Sequence, residues 1–218
     1  MSSSTSSRKR GGNGRPGSSA DRARAWGFLI LLAAGGLCPL WSAPPAVSKA
    51  AAERCAEKIG RMERFLPEKE AGKSQSTPFT EEEINSYLQL VLKPRYHPSL
   101  RTLEVTLKKD RLRTRALIDF DRLRASSAGL FRNLLAFMFS GVRTLDAEGK
   151  LHTGNGRGRF ELEEARFDGR TLPAGVVNEI IAAVGMRQNP PFNPTEPSSL
   201  PYGIERVEIG PGELVAYQ

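Results

Sequence analysis

From Ala25 to Ser48 the chain carries no charged residue, and this run divides everything before it from everything that can fold after it. Its most apolar part, Ala25–Trp41 (AWGFLILLAAGGLCPLW), is 17 residues long. A signal-peptide core needs about 7–15 residues and a spanning helix about 20, so both a cleaved signal and a retained anchor stay open. Trp41 stands where a cleavage site prefers a small residue, which favours retention. Leu37 stands in front of Cys38 where a lipoprotein signal needs a small side chain, which argues against lipidation. The glycines, Pro39 and the basic flank set the run apart from a buried helix of a folded domain.

Residues 1–24 are mostly Ser, Gly and Arg, too poor in apolar groups to offset their ordering entropy, and are expected to be disordered. Arg8, Lys9, Arg10, Arg15, Arg22 and Arg24 against Asp21 give this tail five of the chain's eight net positive charges. Basic residues beside an apolar segment hold that flank in the cytoplasm. Residues after 48 are then expected outside it, at a bacterial cell envelope, inner-membrane-anchored or periplasmic.

In residues 49–66, Ala52, Cys55, Ile59, Met62 and Leu66 fall at steps of three and four, one apolar stripe on a charged stalk or docking helix. Cys55 reads as a small buried hydrophobe. Pro67 is expected to stop the helix, and residues 67–77 read as a polar linker, which places the folded domain at 78–218. The domain opens on Pro78-Phe79-Thr80-Glu81-Glu82-Glu83-Ile84. Thr80 and Glu83 form a capping box, and the three acids suit the positive end of a helix dipole better than they suit a metal or acid/base site. Tyr87, Leu88, Val91 and Leu92 continue the apolar face as far as Pro94.

Leu103, Val105 and Leu107, then Leu112, Ala116, Ile118 and Phe120, alternate with polar residues, which predicts an antiparallel hairpin turning at Lys108–Asp110. Its outward positions, Arg111, Arg113 and Arg115 among them, concentrate positive charge: residues 93–124 hold ten bases and four acids. Those three arginines are candidates for contact with an anionic membrane surface. Ser126–Gly141 is apolar on almost every side and too short to span a bilayer, so it reads as a core helix, as the wall or lid of an apolar site, or as a membrane-dipping segment. Val142–Phe167 returns to strands, with turn signals at Asp146–Gly149 and Gly154–Gly158. Pro173 opens a helix carrying Val176, Val177, Ile180, Ile181 and Val184, which Gly185 ends. Residues 188–201 hold five prolines and must be irregular. Ile204–Tyr217 closes as a hairpin on Pro211-Gly212.

Chemistry-bearing patterns are few. His97 and His152 are the only histidines, and there is no Gly-x-Ser-x-Gly elbow, His-Glu-x-x-His helix or Cys-x-x-Cys pair. Asp119 and Asp121 share a strand face but sit among arginines, which favours solvated ion pairs over general acid/base work. Gly154–Gly158 lacks the Lys-Ser/Thr ending of a phosphate loop. The sequence isoelectric point near 9.8 invites a nucleic-acid reading, but the basic hairpin lacks interleaved aromatics. No enzyme, no cofactor, no metal site and no nucleic-acid partner is expected; a protein partner stays open.

Three stretches carry a resemblance: Phe79-Thr80-Glu81-Glu82-Glu83-Ile84-Asn85-Ser86-Tyr87-Leu88, Phe167-Asp168-Gly169-Arg170-Thr171-Leu172-Pro173 leading into an apolar helix, and Leu200-Pro201-Tyr202-Gly203-Ile204 before the last hairpin. In these and their order, the chain resembles small exported bacterial phospholipid-binding-type domains related to the tubular lipid-binding (TULIP) superfamily. The resemblance implies a long curved antiparallel sheet wrapped on apolar helices, acyl chains held between them, and no catalytic residues. This chain departs from it in forming one compact unit and in the proline-rich link at 188–201.

The expected fold is α+β, a curved antiparallel sheet packed on two or three helices. The expected function is binding of lipid or another apolar ligand, with a wall from Leu130, Phe131, Leu134, Leu135, Phe137, Met138, Val177, Ile180 and Ile181. The alternative is a structural or interaction protein of the envelope with a filled core.

Overall fold

The computed structural model describes residues 46–70, 72–125, 140–188, 191 and 193–218. The tail at 1–24, the hydrophobic segment up to residue 45, and residues 126–139 of the predicted apolar helix lie outside these.

Two antiparallel sheets packed with helices make an α+β fold. Helix α1 (Lys49–Glu70) buries Cys55, Ile59 and Met62 of the predicted stripe in the same core as the strands. It runs past Pro67, which was expected to end it; the exposed proline removes a single hydrogen bond near the helix end. Within the supposed linker the chain already forms β1 (Ser76–Thr80), and Thr80 then caps α2 (Glu81–Tyr87). Both halves of the capping box form: Thr80 accepts from the Glu83 amide, and the Glu83 carboxylate accepts from the Thr80 amide. A π-helical turn (Leu88–Leu92) and a 3-10 turn (Lys93–Arg95) extend α2, burying Leu88 and Leu92.

The larger sheet has the order β2 (Leu100–Lys108), β3 (Arg111–Asp119), β4 (Val142–Gly154), β5 (Arg157–Phe167) and β6 (Arg170–Thr171), and β7 (Ser198–Ser199) pairs with the other end of β5. Period two holds: Leu103, Val105, Leu107, Leu112, Ala116 and Ile118 are all buried, with Leu107 opposite Leu112. Phe120 does not continue the strand. It begins the short helix α3 (Phe120–Ala125) and packs edge-on against Phe167, ring centroids 5.3 Å apart.

Asp146–Gly149 is not a turn. It lies inside β4, where a bulge at Glu148/Gly149 shifts the register against β5, and its acids serve as cross-strand partners of basic residues. The turn comes at Asn155-Gly156, both with positive φ, the signature of a two-residue hairpin loop. Helix α4 (Ala174–Gly185) packs against β5 with Val177, Ile180, Ile181 and Val184 buried.

The second sheet, β1-β9-β8, consists of β8 (Arg206–Gly210), β9 (Glu213–Tyr217) and the β1 strand absent from the sequence reading. Its β8 edge meets the hairpin-turn end of the larger sheet. There the Thr153 hydroxyl bridges the backbone N–H and C=O of Val207 at 2.8 and 3.1 Å. The Asp110 amide donates to Ile209 O at 3.0 Å, and the Gly212 amide donates to Leu107 O at 3.0 Å.

Strand β2 is an edge of its sheet, and α2 closes it. Glu81 Oε2 accepts from the Leu107 amide at 2.7 Å. The Asn85 side-chain amide pairs with both the N–H and the C=O of Val105 at 2.8 and 2.7 Å, and Gln89 Nε2 donates to Leu103 O at 2.8 Å. Four helical residues rise about 6 Å and two strand residues about 6.7 Å, so side chains at i, i+4 and i+8 meet alternate residues of an antiparallel strand. Three polar side chains thus take the place of a neighbouring strand, a direct answer to the exposed-edge problem.

Candidate functional site

The junction of the two sheets with α1 and α2 encloses an apolar cavity. Its walls are Met62 from α1, Phe79 from β1, Ile84 and Leu88 from the second helix and its π turn, Val105, Leu107 and Leu112 from the first hairpin, and Leu151 from β4. Tyr202 and Ile204 from the 201–204 loop, Val207 from β8, and Leu214 and Ala216 from β9 complete the lining. Tyr202 alone among these bears a hydroxyl. About 30 Å³ can take the centre of a water-sized sphere, room for one or two small groups, and the lining gives a water few hydrogen-bond partners. Leu151 and Tyr202 are half-buried and mark the mouth.

Local backbone features fix this mouth. Tyr202 and Gly203 both have positive φ, and a Cβ on Gly203 would stand 2.9 Å from Leu66 Cδ2, so the loop presses onto α1 at a point where glycine fits. The side chain of Gln218 is buried beside it, donating to the carbonyl oxygens of Met62 and Tyr202 and accepting from Gln75 Nε2.

Of the predicted wall, Leu130, Phe131, Leu134, Leu135, Phe137 and Met138 lie outside the described residues. Val177, Ile180 and Ile181 are buried on α4 but line no part of this cavity. Met62, Ile84, Leu88, Val105, Leu107 and Leu112 were legible as core from their period, yet nothing in a sequence separates a core position from a cavity wall. Phe79 and the β9 residues come together only through the pairing of β1 with β9.

The outer face of the larger sheet is a ladder of ion pairs. Arg115 makes a two-pronged contact with Asp146 at 2.8 and 3.2 Å, Arg111 reaches Glu163 at 2.7 Å, Lys108 reaches Glu148 at 2.6 Å, and Lys150 reaches Glu163 at 2.8 Å. Arg113 has no carboxylate partner among the described residues. Acids of β4 and β5 therefore offset much of the hairpin's positive charge, something the local count over 93–124 did not include. Asp119, expected to point outward, is buried; it bonds Arg101 at 2.6 Å and caps α3 through the Arg122 amide. Asp121 falls on α3, so the two aspartates do not share a strand face.

Each acid of the Glu81–Glu83 triplet has a separate task. Glu82 accepts from Ser48 Oγ at 2.9 Å, holding the start of α1. Burial pushes the Glu81 carboxyl above the usual range, against the opposing bond from the Leu107 amide. Burial also pushes Glu83 up, but the Lys58 ammonium at 2.6 Å, the Thr80 amide and Arg54 outweigh it and hold the carboxyl below the usual range. The two groups thus act in opposite senses. Glu83 contributes stability that is present above its unfolded pKa and lost as pH falls through its lowered folded value. The contribution of Glu81 is present below its unfolded pKa and lost as pH rises through its raised folded value. Thermal melts from neutral to acid pH should show a smaller acid loss for Glu83→Gln than for the parent and a larger one for Glu81→Gln. A common direction for the two variants would contradict these assignments.

His97 Nδ1 lies 2.8 Å from Ser99 Oγ and accepts from the Ser99 amide at 3.2 Å, so the hydroxyl donates to the ring. Ser99 is fully buried, and the pair closes the turn that leads into β2. Burial, with Arg187 nearby, holds His97 below its ordinary pKa. His152 is half-exposed, 2.5 Å from Glu161. The Cys55 thiol is fully buried and burial pushes its pKa up, the opposite of a reactive cysteine. Among the described residues no three His, Cys, Asp or Glu side chains converge as metal ligands, and no helix there is long and apolar enough to cross a membrane. No family model, curated protein or solved structure matches the chain.

Proposed function

We propose that this chain is an exported, membrane-tethered, non-enzymatic domain that binds lipid or another apolar ligand at the bacterial cell envelope. The observation that carries the reading is the cavity between the two sheets. Protein interiors close to crystal-like density with few voids larger than a water molecule. A void walled by thirteen residues of which only Tyr202 bears a polar side chain, with a half-buried mouth, suits an apolar ligand for which the walls part. The basic tail and the uncharged run at 25–48 support the location, and the resemblance to phospholipid-binding-type domains agrees with the ligand class.

The small size of the void favours a second reading, an envelope interaction protein with a filled core. Photo-crosslinking separates the two. Cells expressing the full chain are fed a fatty acid carrying a photoactivatable group, and the adducts are mapped by peptide mass spectrometry. Ligand binding predicts adducts on peptides containing Leu151 or Tyr202. Adducts confined to residues 25–45 would contradict it and leave the second reading.

A further inference from the structure

We infer that one end of this domain, formed by the start of α1, the π turn after α2, the start of β4 and the end of α4, rests on the anionic bilayer that holds the chain's apolar segment. The inference rests on the anchoring proposed above and adds which face meets the membrane.

Four large apolar side chains stand out as exposed among the described residues: Val47, Leu90, Val142 and Met186. They gather at one end. Leu90 follows Gln89, which bonds Leu103 near the start of β2, whereas Glu81 bonds Leu107 near its turn. Val47 precedes Ser48, whose amide donates to Ser86 Oγ one helical turn before Leu90. Val142 pairs with Asp119 where β3 ends, and Leu100 pairs with Ile118 beside it. Met186 lies two residues from Gln188, whose side-chain oxygen accepts from the His97 amide, and His97 leads directly into β2. The turns at 109–110 and 155–156 form the opposite end.

Where the undescribed chain begins and ends names the occupant. The described residues start at Ala46, five residues after Trp41, and five residues reach at most about 17 Å. Anchoring Ala25–Trp41 in a bilayer therefore brings Val47 to its surface. Charge agrees: Lys93 and Arg95 are exposed with no carboxylate partner among the described residues, and Lys49 is held only loosely by Glu53 at 3.9 Å. The nearby acids Asp119 and Asp168 are paired with Arg101, Arg122 and Arg143, whereas Glu82 and Asp121 keep their charge while accepting from the Ser48 hydroxyl and the Gly141 amide. A pair of free cations beside exposed apolar side chains suits anionic headgroups. The cavity mouth at Leu151 and Tyr202 lies toward the other end, so a bound ligand would be presented away from the anchoring bilayer.

The test uses the full chain with Cys38→Ser, the buried Cys55 left in place, and an environment-sensitive dye at Leu90→Cys, Met186→Cys or Lys109→Cys. Each is reconstituted into vesicles of phosphatidylcholine alone or mixed with phosphatidylglycerol, some carrying a lipid-borne quencher. The expected result is flotation of all three, with a blue shift and quenching at positions 90 and 186 and neither at 109. Removing each charge in Lys93→Gln and Arg95→Gln should lower the docked-to-undocked ratio about five-fold in the phosphatidylglycerol vesicles. Flotation with all labels aqueous, or a response at 109 instead, would overturn the docking face and leave the anchor intact. Failure to float would remove the anchor and the docking face together.

Discussion

Replacing Asn85 with alanine is expected to cost about 3–5 kcal/mol of folding stability, because it strands two buried backbone groups at once. The Asn85 side chain is fully buried and makes three hydrogen bonds: Oδ1 accepts from the Val105 amide, and Nδ2 donates to the carbonyl oxygens of Val105 and Glu81. Alanine leaves the Val105 N–H and C=O facing apolar neighbours without water, and each unsatisfied group costs about 1–3 kcal/mol. Asn85→Asp keeps the acceptor but turns a carboxylate oxygen toward two carbonyls, so it should be at least as damaging. Urea unfolding of the two variants, read against the parent, measures this. A loss below about 1 kcal/mol for Asn85→Ala would mean that the helix does not seal the β2 edge.

Gly149→Ala is the second large effect, with an expected loss of about 3 kcal/mol from overpacking against backbone. A Cβ there would fall well inside contact distance of the Glu161 carbonyl oxygen and 2.6 Å from Phe160 Cζ. The phenyl ring can shift; the carbonyl is fixed by β4–β5 pairing on both sides of the bulge. Since φ at Gly149 is not positive, the penalty is purely steric. Gly154→Ala is the matched control, because a Cβ there meets nothing within 4 Å; it should change stability by less than about 0.5 kcal/mol. Equal effects at the two positions would show that the close approach at the bulge is absent.

Much of the fold could be read from local pattern. Alternation at Leu103–Leu107 and Leu112–Ile118 placed the hairpin and its inward face, and Thr80 with Glu83 marked the start of α2 to the residue. What stayed hidden depends on partners distant in the chain. Ser76–Thr80 has no apolar alternation worth the name and becomes a strand because Glu213–Tyr217 lies beside it. Asp146 and Glu148 looked like turn residues beside Gly149 because their partners, Arg115 and Lys108, come from other strands. The four bonds from Glu81, Asn85 and Gln89 to β2 appear only once the helix lies along the strand. The candidate site was the least legible part. Val177, Ile180 and Ile181 have the same apolar period as Ile84 and Leu88, yet only the latter pair borders the cavity.

Ligand binding is tested most directly by native mass spectrometry of the full chain after detergent removal in the gas phase, comparing the parent with Ala216→Leu. Ala216 lines the cavity and is 1% exposed, so a leucine there fills the space a ligand would enter. The expected result is a retained lipid mass on the parent and its loss in the folded variant. No retained lipid on the parent, or equal retention on both proteins, would contradict it.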